Sequence, residues 1–205
     1  ILGGFDPYSA SKAAAELVFS SYQRSFFSKK PFLGAATARA GNVIGGGDWS
    51  EHRLIPDLIK SINSNLPVKI RNPQSTRPWQ HVLEPLSGYV LLAVNLIINK
   101  ELFSGSWNFG PSSMDVMSVK QVIEIIISKL KKGEMETVSS ENNEHEANLL
   151  QLNCDKAIQK LNWKPRWSAN KSIEETAEWY SVYLSGGNVR NKTENQINEY
   201  FGDDI

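Results

Sequence analysis

Tyr8 and Lys12 are the first residues whose types and spacing suggest chemistry. Four positions apart, they project from one face if the segment is helical. A free tyrosine, with a pKa of about 10, is a poor base at neutral pH. An ammonium one turn away favours the phenolate and lowers that value. A Tyr-x-x-x-Lys helix can therefore present a base to the hydroxyl of a sugar or an alcohol. The surrounding sequence reads as a helix start. Asp6 can cap by accepting from a free first-turn amide, Pro7 suits the first position, and Ala13-Ala14-Ala15 with Leu17 favour continuation. On this pair alone, a tyrosine at a helix start beside a solvated lysine is the better explanation, because so short a motif recurs by chance.

The elements that must position such a pair read as an α/β chain. A helix is expected from about Pro7 to Phe27, with Leu17, Val18, Tyr22 and Phe26 as its apolar face. Gly34 to Ala40 is small and alternating, and is expected to be a parallel strand buried on both faces. The glycine-rich loop from Asn42 to His52 follows it. In open α/β sheets ligands sit beyond the carboxyl ends of strands, so this loop is placed to touch one. Arg53 to Ser64 reads as a helix interrupted early by Pro56, Pro67 to Ile70 as a strand, and Trp79 to Leu83 as another. A strongly apolar helix spans Glu84 to Asn99, and a strand Ser106 to Phe109.

Ser118 and Gln121 have the spacing of a capping box. Val119, Val122, Ile123, Ile126, Ile127 and Leu130 then follow the three-four spacing of a buried helical face. Met135 to Ser139 is expected to be a strand, Asp155 to Leu161 a short helix, and Asn170 the cap of a last helix. From Ser185 onward the sequence is polar and contains Gly186-Gly187, so a flexible tail is expected.

Composition excludes several function classes. The chain has 205 residues, 40% of them hydrophobic. Lys+Arg 22 balances Asp+Glu 22, which argues against a nucleic acid or an anionic membrane as partner. The one cysteine, Cys154, rules out an internal disulfide framework and fits a reducing cytoplasm. No apolar run is long enough to span a bilayer, and none reads as a leader peptide. His52, His81 and His145 have no metal-ligand spacing, so no metal is expected.

The motifs that follow the Tyr-x-x-x-Lys segment change its odds. Arg39-Ala40-Gly41-Asn42-Val43-Ile44-Gly45-Gly46-Gly47-Asp48-Trp49 runs on to Arg53-Leu54-Ile55-Pro56. Arg71-Asn72-Pro73, Arg77-Pro78-Trp79-Gln80-His81-Val82, Trp107-Asn108-Phe109-Gly110-Pro111 and Leu161-Asn162-Trp163-Lys164-Pro165 come in that order. The series resembles the C-terminal part of an extended short-chain dehydrogenase/reductase, and within that superfamily the CDP-glucose 4,6-dehydratases.

The resemblance implies the C-terminal part of a Rossmann-like doubly wound sheet plus a small mixed α/β substrate-binding domain. It implies residues 1–50 as the tail of the dinucleotide-binding domain, 51–184 as mainly the nucleotide-sugar domain interleaved with it, and 185–205 as the tail. It implies NAD as cofactor, CDP-glucose or a related nucleotide sugar as substrate, and a homo-oligomer. Tyr8 would be the base for the sugar 4-hydroxyl, and Lys12 its partner and a contact of the nicotinamide ribose.

Asn42 matches a contact of the substrate diphosphate, and Arg53 and Arg77 match basic positions facing the nucleotide phosphates, where a guanidinium fork fits. Asn108 matches a ribose or phosphate contact, and His145, with Glu146 beside it, a segment closing over the nucleotide. A solvated acidic loop explains that last segment equally well. Arg39, inside the expected strand, is assigned a structural ion pair.

No Gly-x-Gly-x-x-Gly lies between a strand and a helix, and the acid and base for the elimination are implied upstream of residue 1. The polypeptide by itself is therefore expected to be inactive. Two alternatives stay open: another nucleotide-sugar enzyme of the superfamily, such as an epimerase, and a non-catalytic nucleotide-binding or structural module.

Overall fold

Helix α1 (Pro7–Ser25) starts as the residue types dictate, with Asp6 Oδ1 accepting from the Ser9 amide at 3.0 Å and Pro7 in the first turn. In the computed structural model, which describes residues 6–112, 115–138 and 152–202, it ends two residues before the expected Phe27. Phe26 leaves helical geometry, and a 3-10 turn follows at Phe27–Lys29. Phe26 and Phe27 both pack on the Tyr22 ring, at 5.4 and 5.8 Å between centroids.

After it come β1 (Ala36–Ala40), β2 (Val43–Ile44), α2 (Leu54–Asn63), β3 (Val68–Ile70), β4 (Thr76–Arg77), β5 (Gln80–His81) and α3 (Leu83–Ile98). Then follow α4 (Lys100–Phe103), β6 (Gly105–Phe109), β7 (Met117–Ser118), α5 (Val119–Leu130), β8 (Met135–Thr137), α6 (Asp155–Leu161), α7 (Ala169–Leu184) and α8 (Val189–Phe201). The class is α/β, as the sequence implies.

The chain folds as two compact units of three stretches each. Ile1–Arg39, Ser87–Phe109 and Asn153–Lys164 make the first; Ala40–Leu86, Gly110–Leu152 and Pro165–Ile205 make the second. The glycine-rich loop belongs with the second unit, and two later stretches return to the first.

In the first unit β1 pairs with β6. Trp107 and Phe109 of β6 are buried, together with Leu92, Phe103, Leu161 and Trp163. The Phe109 ring meets Trp163 edge-on at 5.1 Å. It also lies so close to Gly88 of α3 that a Cβ there would come within 2.2 Å of it. The expectation that β1 is buried on both faces is corrected: Ala38 and Arg39 are exposed, and among the described residues β1 has only β6 beside it.

Among the described residues of the second unit β2 pairs with β5 and β3 with β8, both parallel, and β4 with β7, antiparallel. Helix α5 starts at the expected capping box, with Gln121 N donating to Ser118 Oγ at 3.2 Å and Ser118 N donating to Gln121 Oε1 at 2.8 Å. Its Val122, Ile123 and Ile126 join Leu58, Ile59 and Ile62 of α2 and Ile173, Ala177 and Tyr180 of α7 in one core. Full burial of each such aliphatic side chain is worth roughly 1.5–3 kcal/mol.

Pro56 does not interrupt α2. It sits third in the helix, where the amide it lacks would have had no intrahelical partner.

Two expectations at the C-terminal end are corrected. Helix α7 is capped by Ser168, whose Oγ accepts from Lys171 N at 3.2 Å, while Asn170 reaches sideways to Glu174 at 3.1 Å. The stretch from residue 185 is not a free tail but forms α8. Its polar residues are the ones that anchor it. Lys192 and Gln196 reach the buried Glu175 at 2.9 and 3.0 Å, and the Tyr200 hydroxyl donates to buried Glu84 at 2.8 Å. Among the described residues no helix is long and apolar enough to cross a membrane.

Candidate functional site

The first turns of α1 put Tyr8 and Lys12 on one face. Tyr8 is 71% exposed, and the Lys12 ammonium stands over its ring, 5.5 Å from the centroid. Among the described residues Lys12 has no carboxylate partner, so its donors are available to a ligand. Alternate residues of a strand share a face. Thr37 and Arg39 of β1 therefore point one way, as do Ser106 and Asn108 of β6. Ser106 meets α1 through Glu16 at 3.0 Å, so Asn108 lies on the strand face that carries α1. The Asn108 amide is oriented by the Asn153 carbonyl, which accepts from Nδ2 at 2.9 Å. Oδ1 is thereby left buried with no hydrogen-bond partner.

Arg39 makes the expected ion pair, 3.7 Å from Glu16. On the opposite side of β6, Lys156 donates to the Ser106 carbonyl at 2.9 Å and sits over Trp107. Burial, with Lys160 and Arg39 adding repulsion, pulls its pKa below the ordinary lysine value.

In the second unit Asn42 turns the chain between β1 and β2 in the left-handed region, at φ 46°, which asparagine tolerates better than most residues. Its backbone carbonyl accepts from Gln80 N at 3.2 Å. Its side-chain Nδ2 is buried with no partner. A buried donor left unsatisfied costs roughly 1–3 kcal/mol, so this amide is poised for an acceptor.

The loop that follows packs closely on α7. A Cβ on Gly46 would meet the Trp179 indole at 2.1 Å, and the Tyr180 hydroxyl donates to Asp48 O at 2.6 Å. Arg53 is exposed and holds Asp48 at 3.0 Å. Burial works against the Asp48 charge, but hydrogen bonds from Ser50 and Arg53 outweigh it and the pKa is lowered. Arg77, half-buried in β4, donates from Nη1 to Thr76 O at 2.8 Å.

The first unit thus carries Tyr8, Lys12 and Asn108, and the second carries Asn42, Arg53 and Arg77. His145 and Glu146 lie outside the described residues.

The model of the GDP-mannose 4,6 dehydratase family matches residues 3–176. The chain belongs to that family. It is similar to the CDP-glucose 4,6-dehydratase of Salmonella typhimurium, 42% identical over 203 residues, which is 97% of this chain and 56% of that protein. The human dTDP-D-glucose 4,6-dehydratase is 26% identical over 179 residues, 85% of this chain and 48% of its own length. The chain spans about half the length of both relatives.

Among solved structures, a dTDP-glucose 4,6-dehydratase from Bacillus anthracis in complex with NAD aligns with TM-score 0.68 at 21% identity, over 91% of this chain and 56% of that one. An epimerase from Methanothermobacter thermautotrophicus aligns with TM-score 0.75 at 19% identity, over 93% and 54%. At these identities the structural matches establish the family's fold in this chain.

Two acids near the family motifs, Glu84 buried and Glu16 half-buried, have roles that depend on distant partners. Glu84, fully buried at the start of α3, accepts from the amides of Arg166 and Trp167 at 3.1 and 2.7 Å as well as from Tyr200. Burial raises its pKa against these bonds. Glu16, the second, lies one turn beyond Lys12 on α1. An acid inside a strongly apolar helix start was the only available signal for Glu84.

Proposed function

We propose that the protein at its natural length is a nucleotide-sugar 4,6-dehydratase, with CDP-glucose as substrate and NAD as cofactor. The observation that carries the reading is the 42% identity to the Salmonella CDP-glucose 4,6-dehydratase across 97% of this chain. It is supported by the Tyr8–Lys12 face and by the two buried amide atoms, on Asn42 and Asn108, that lack partners.

Tyr8 takes the proton of the sugar 4-hydroxyl at its phenolic oxygen. The Lys12 ammonium stands over the Tyr8 ring and offers spare donors to a ribose hydroxyl, which suits the NAD site. NAD, when bound, would supply reversible hydride transfer between carbons 4 and 6 of the sugar. Asn42 Nδ2, a donor, suits a diphosphate oxygen. Asn108 Oδ1, an acceptor, suits a ribose hydroxyl rather than a phosphate. Arg77 pairs with the nucleotide phosphates, as does Arg53 once it rotates away from Asp48. His145 is assigned to the nucleotide side of the site.

On this reading the first compact unit serves the cofactor and the second mainly the nucleotide sugar. The enzyme works in the cytoplasm and pairs with a second copy of itself.

The test is incubation of the natural-length protein with NAD and CDP-glucose, analysed for the 4-keto-6-deoxy product and for the 4-epimer. The dehydrated product alone is expected. The epimer alone, or neither product, would overturn the proposal.

A further inference from the structure

Helix α1 carries the proposed base and yet has no fully buried residue. Its apolar positions Leu17, Val18 and Tyr22, and Phe26 just past its end, are all at least half exposed. What ties it to the strand pair beneath is polar. Among the described residues, the side-chain hydrogen bonds and ion pair that leave α1 for β1 and β6 converge on Glu16. The hydroxyls of Thr37 and Ser106 each lie 3.0 Å from Glu16 Oε2 and 3.0 Å from one another, and Arg39 Nε lies 3.7 Å from Oε1. The carboxylate thus grips two strands at once, through two hydroxyls and a guanidinium. Glu16 is half-buried, its side chain 18% exposed, so water competes weakly for these bonds.

The spacing gives the grip its consequence. Tyr8, Lys12 and Glu16 follow one another at four-residue intervals along α1, and such positions lie on neighbouring turns of one face. A helix held by packing alone can rotate and slide by small amounts at little cost. A helix held by a carboxylate between two strand hydroxyls has its rotation and axial position fixed within hydrogen-bond tolerance. A displacement of about 1 Å at a reacting group can cost on the order of 100-fold in rate.

We propose that Glu16 is a positioning residue. Its clasp on Thr37, Ser106 and Arg39 sets the rotation and height of α1, and with them the placement of the Tyr8 oxygen and the Lys12 ammonium. The role in rate rests on the dehydratase reading above; the mechanical role does not. Glu16 touches neither substrate nor cofactor in this account. It acts on the reaction through Tyr8.

The test uses the natural-length protein with Glu16→Ala, Glu16→Gln and Ser106→Ala. Two readouts are taken: steady-state turnover of CDP-glucose with NAD, and amide hydrogen exchange of residues 8–17. Glu16→Ala is expected to lower kcat roughly 10- to 100-fold, to leave KM for the nucleotide sugar within about twofold, and to speed exchange along α1. Glu16→Gln keeps an acceptor for both hydroxyls and loses only the charge facing Arg39, so it should recover most of the rate. Ser106→Ala, which leaves the helix sequence intact, should show a smaller loss of the same kind and serves if Glu16→Ala fails to fold.

Unchanged kcat in Glu16→Ala, or in Ser106→Ala should Glu16→Ala not fold, would overturn the proposal. So would a parallel loss of kcat and nucleotide-sugar affinity, which marks damage beyond the placement of Tyr8, or a failure of glutamine to rescue. If the parent protein shows no turnover, it is the dehydratase reading that falls. The clasp then stands or falls on exchange alone, and unchanged protection of α1 in the variants would refute it.

Discussion

Acidification should destabilise the second compact unit in two separate steps, and the first belongs to His81. This imidazole is 2% exposed, packs on the Trp167 ring at 5.0 Å between centroids, and accepts from the Leu83 amide through Nδ1 at 3.4 Å. Its Nε2 is buried without a partner. Burial, reinforced by the Lys192 ammonium and only partly opposed by the Glu175 carboxylate, pulls its pKa from 6.5 down to about 4.

The folded value lies below the unfolded one, so the neutral ring contributes stability that is complete above about pH 6.5. That stability is lost as pH falls through the window to about 4. Protonation of a ring held at about 4 rather than 6.5 costs roughly 3.5 kcal/mol when complete, of which about 3 kcal/mol is lost by pH 4.

Glu175 acts in a lower window. Burial opposes its charge, but Lys171, Gln196 and Lys192 bind it and hold its pKa at about 2, so its contribution is lost only between about pH 4.5 and 2. Glu84 has the opposite sign. Its raised pKa favours the folded state in acid and weakens it as pH rises, so the net slope of the parent understates the histidine.

The comparison with His81→Asn isolates the histidine, because asparagine can accept from the Leu83 amide without titrating. Urea unfolding followed by tryptophan fluorescence at several pH values gives both stability curves. The gap between them should change by about 3 kcal/mol between pH 7 and pH 4. Parallel curves would show that His81 is not held neutral by its surroundings.

Three further outcomes are expected. Gly88→Ala should destabilise the first unit by about 1–2 kcal/mol in thermal or urea unfolding. Its Cβ would sit 2.2 Å from the fully buried Phe109 ring, and that overpacking exceeds the helix-propensity gain of about 1 kcal/mol; equal or greater stability would mean the ring moves freely. Asn42→Gly, which suits the left-handed backbone, should weaken CDP binding by roughly 10- to 100-fold in calorimetry without lowering stability, whereas unchanged affinity would make Asn42 a turn residue only. The exposed stripe of Leu17, Val18, Tyr22 and Phe26 should drive self-association at micromolar concentration, and Phe26→Asp should abolish it by light scattering. A monomeric parent would refute that role for α1.

The parts of this structure that were legible in the sequence are those written in local spacing. The Asp6–Pro7 start of α1, the Ser118–Gln121 capping box and the buried face of α5 each depend on residues within a few positions of one another. The Tyr8–Lys12 pair is legible for the same reason.

What escaped depends on partners far apart in the chain. Helix α8 is polar because its side chains are meant for Glu175 and Glu84, which lie 21 and 116 residues from the groups that bind them. No periodicity reports such a pairing, and Gly186-Gly187 pointed the other way. The clasp on Glu16 joins residues 21 and 90 positions apart. Ser168 and Asn170 are equally good capping types two residues apart, so local sequence does not choose between them for α7. The start at Ser168 is also held from a distance, by the Asp115 carboxylate that accepts from the Ala169 amide at 2.6 Å.

The role of Tyr8 as base is tested by turnover of CDP-glucose by Tyr8→Phe in the natural-length protein with NAD, beside the affinity of the same variant for CDP. Removal of one phenolic oxygen leaves the rest of an exposed side chain in place. Tyr8→Phe should lose roughly 10²–10⁴-fold in kcat with CDP affinity nearly unchanged. Near-normal formation of the 4-keto-6-deoxy product by Tyr8→Phe would show that Tyr8 is not the base and would contradict the account.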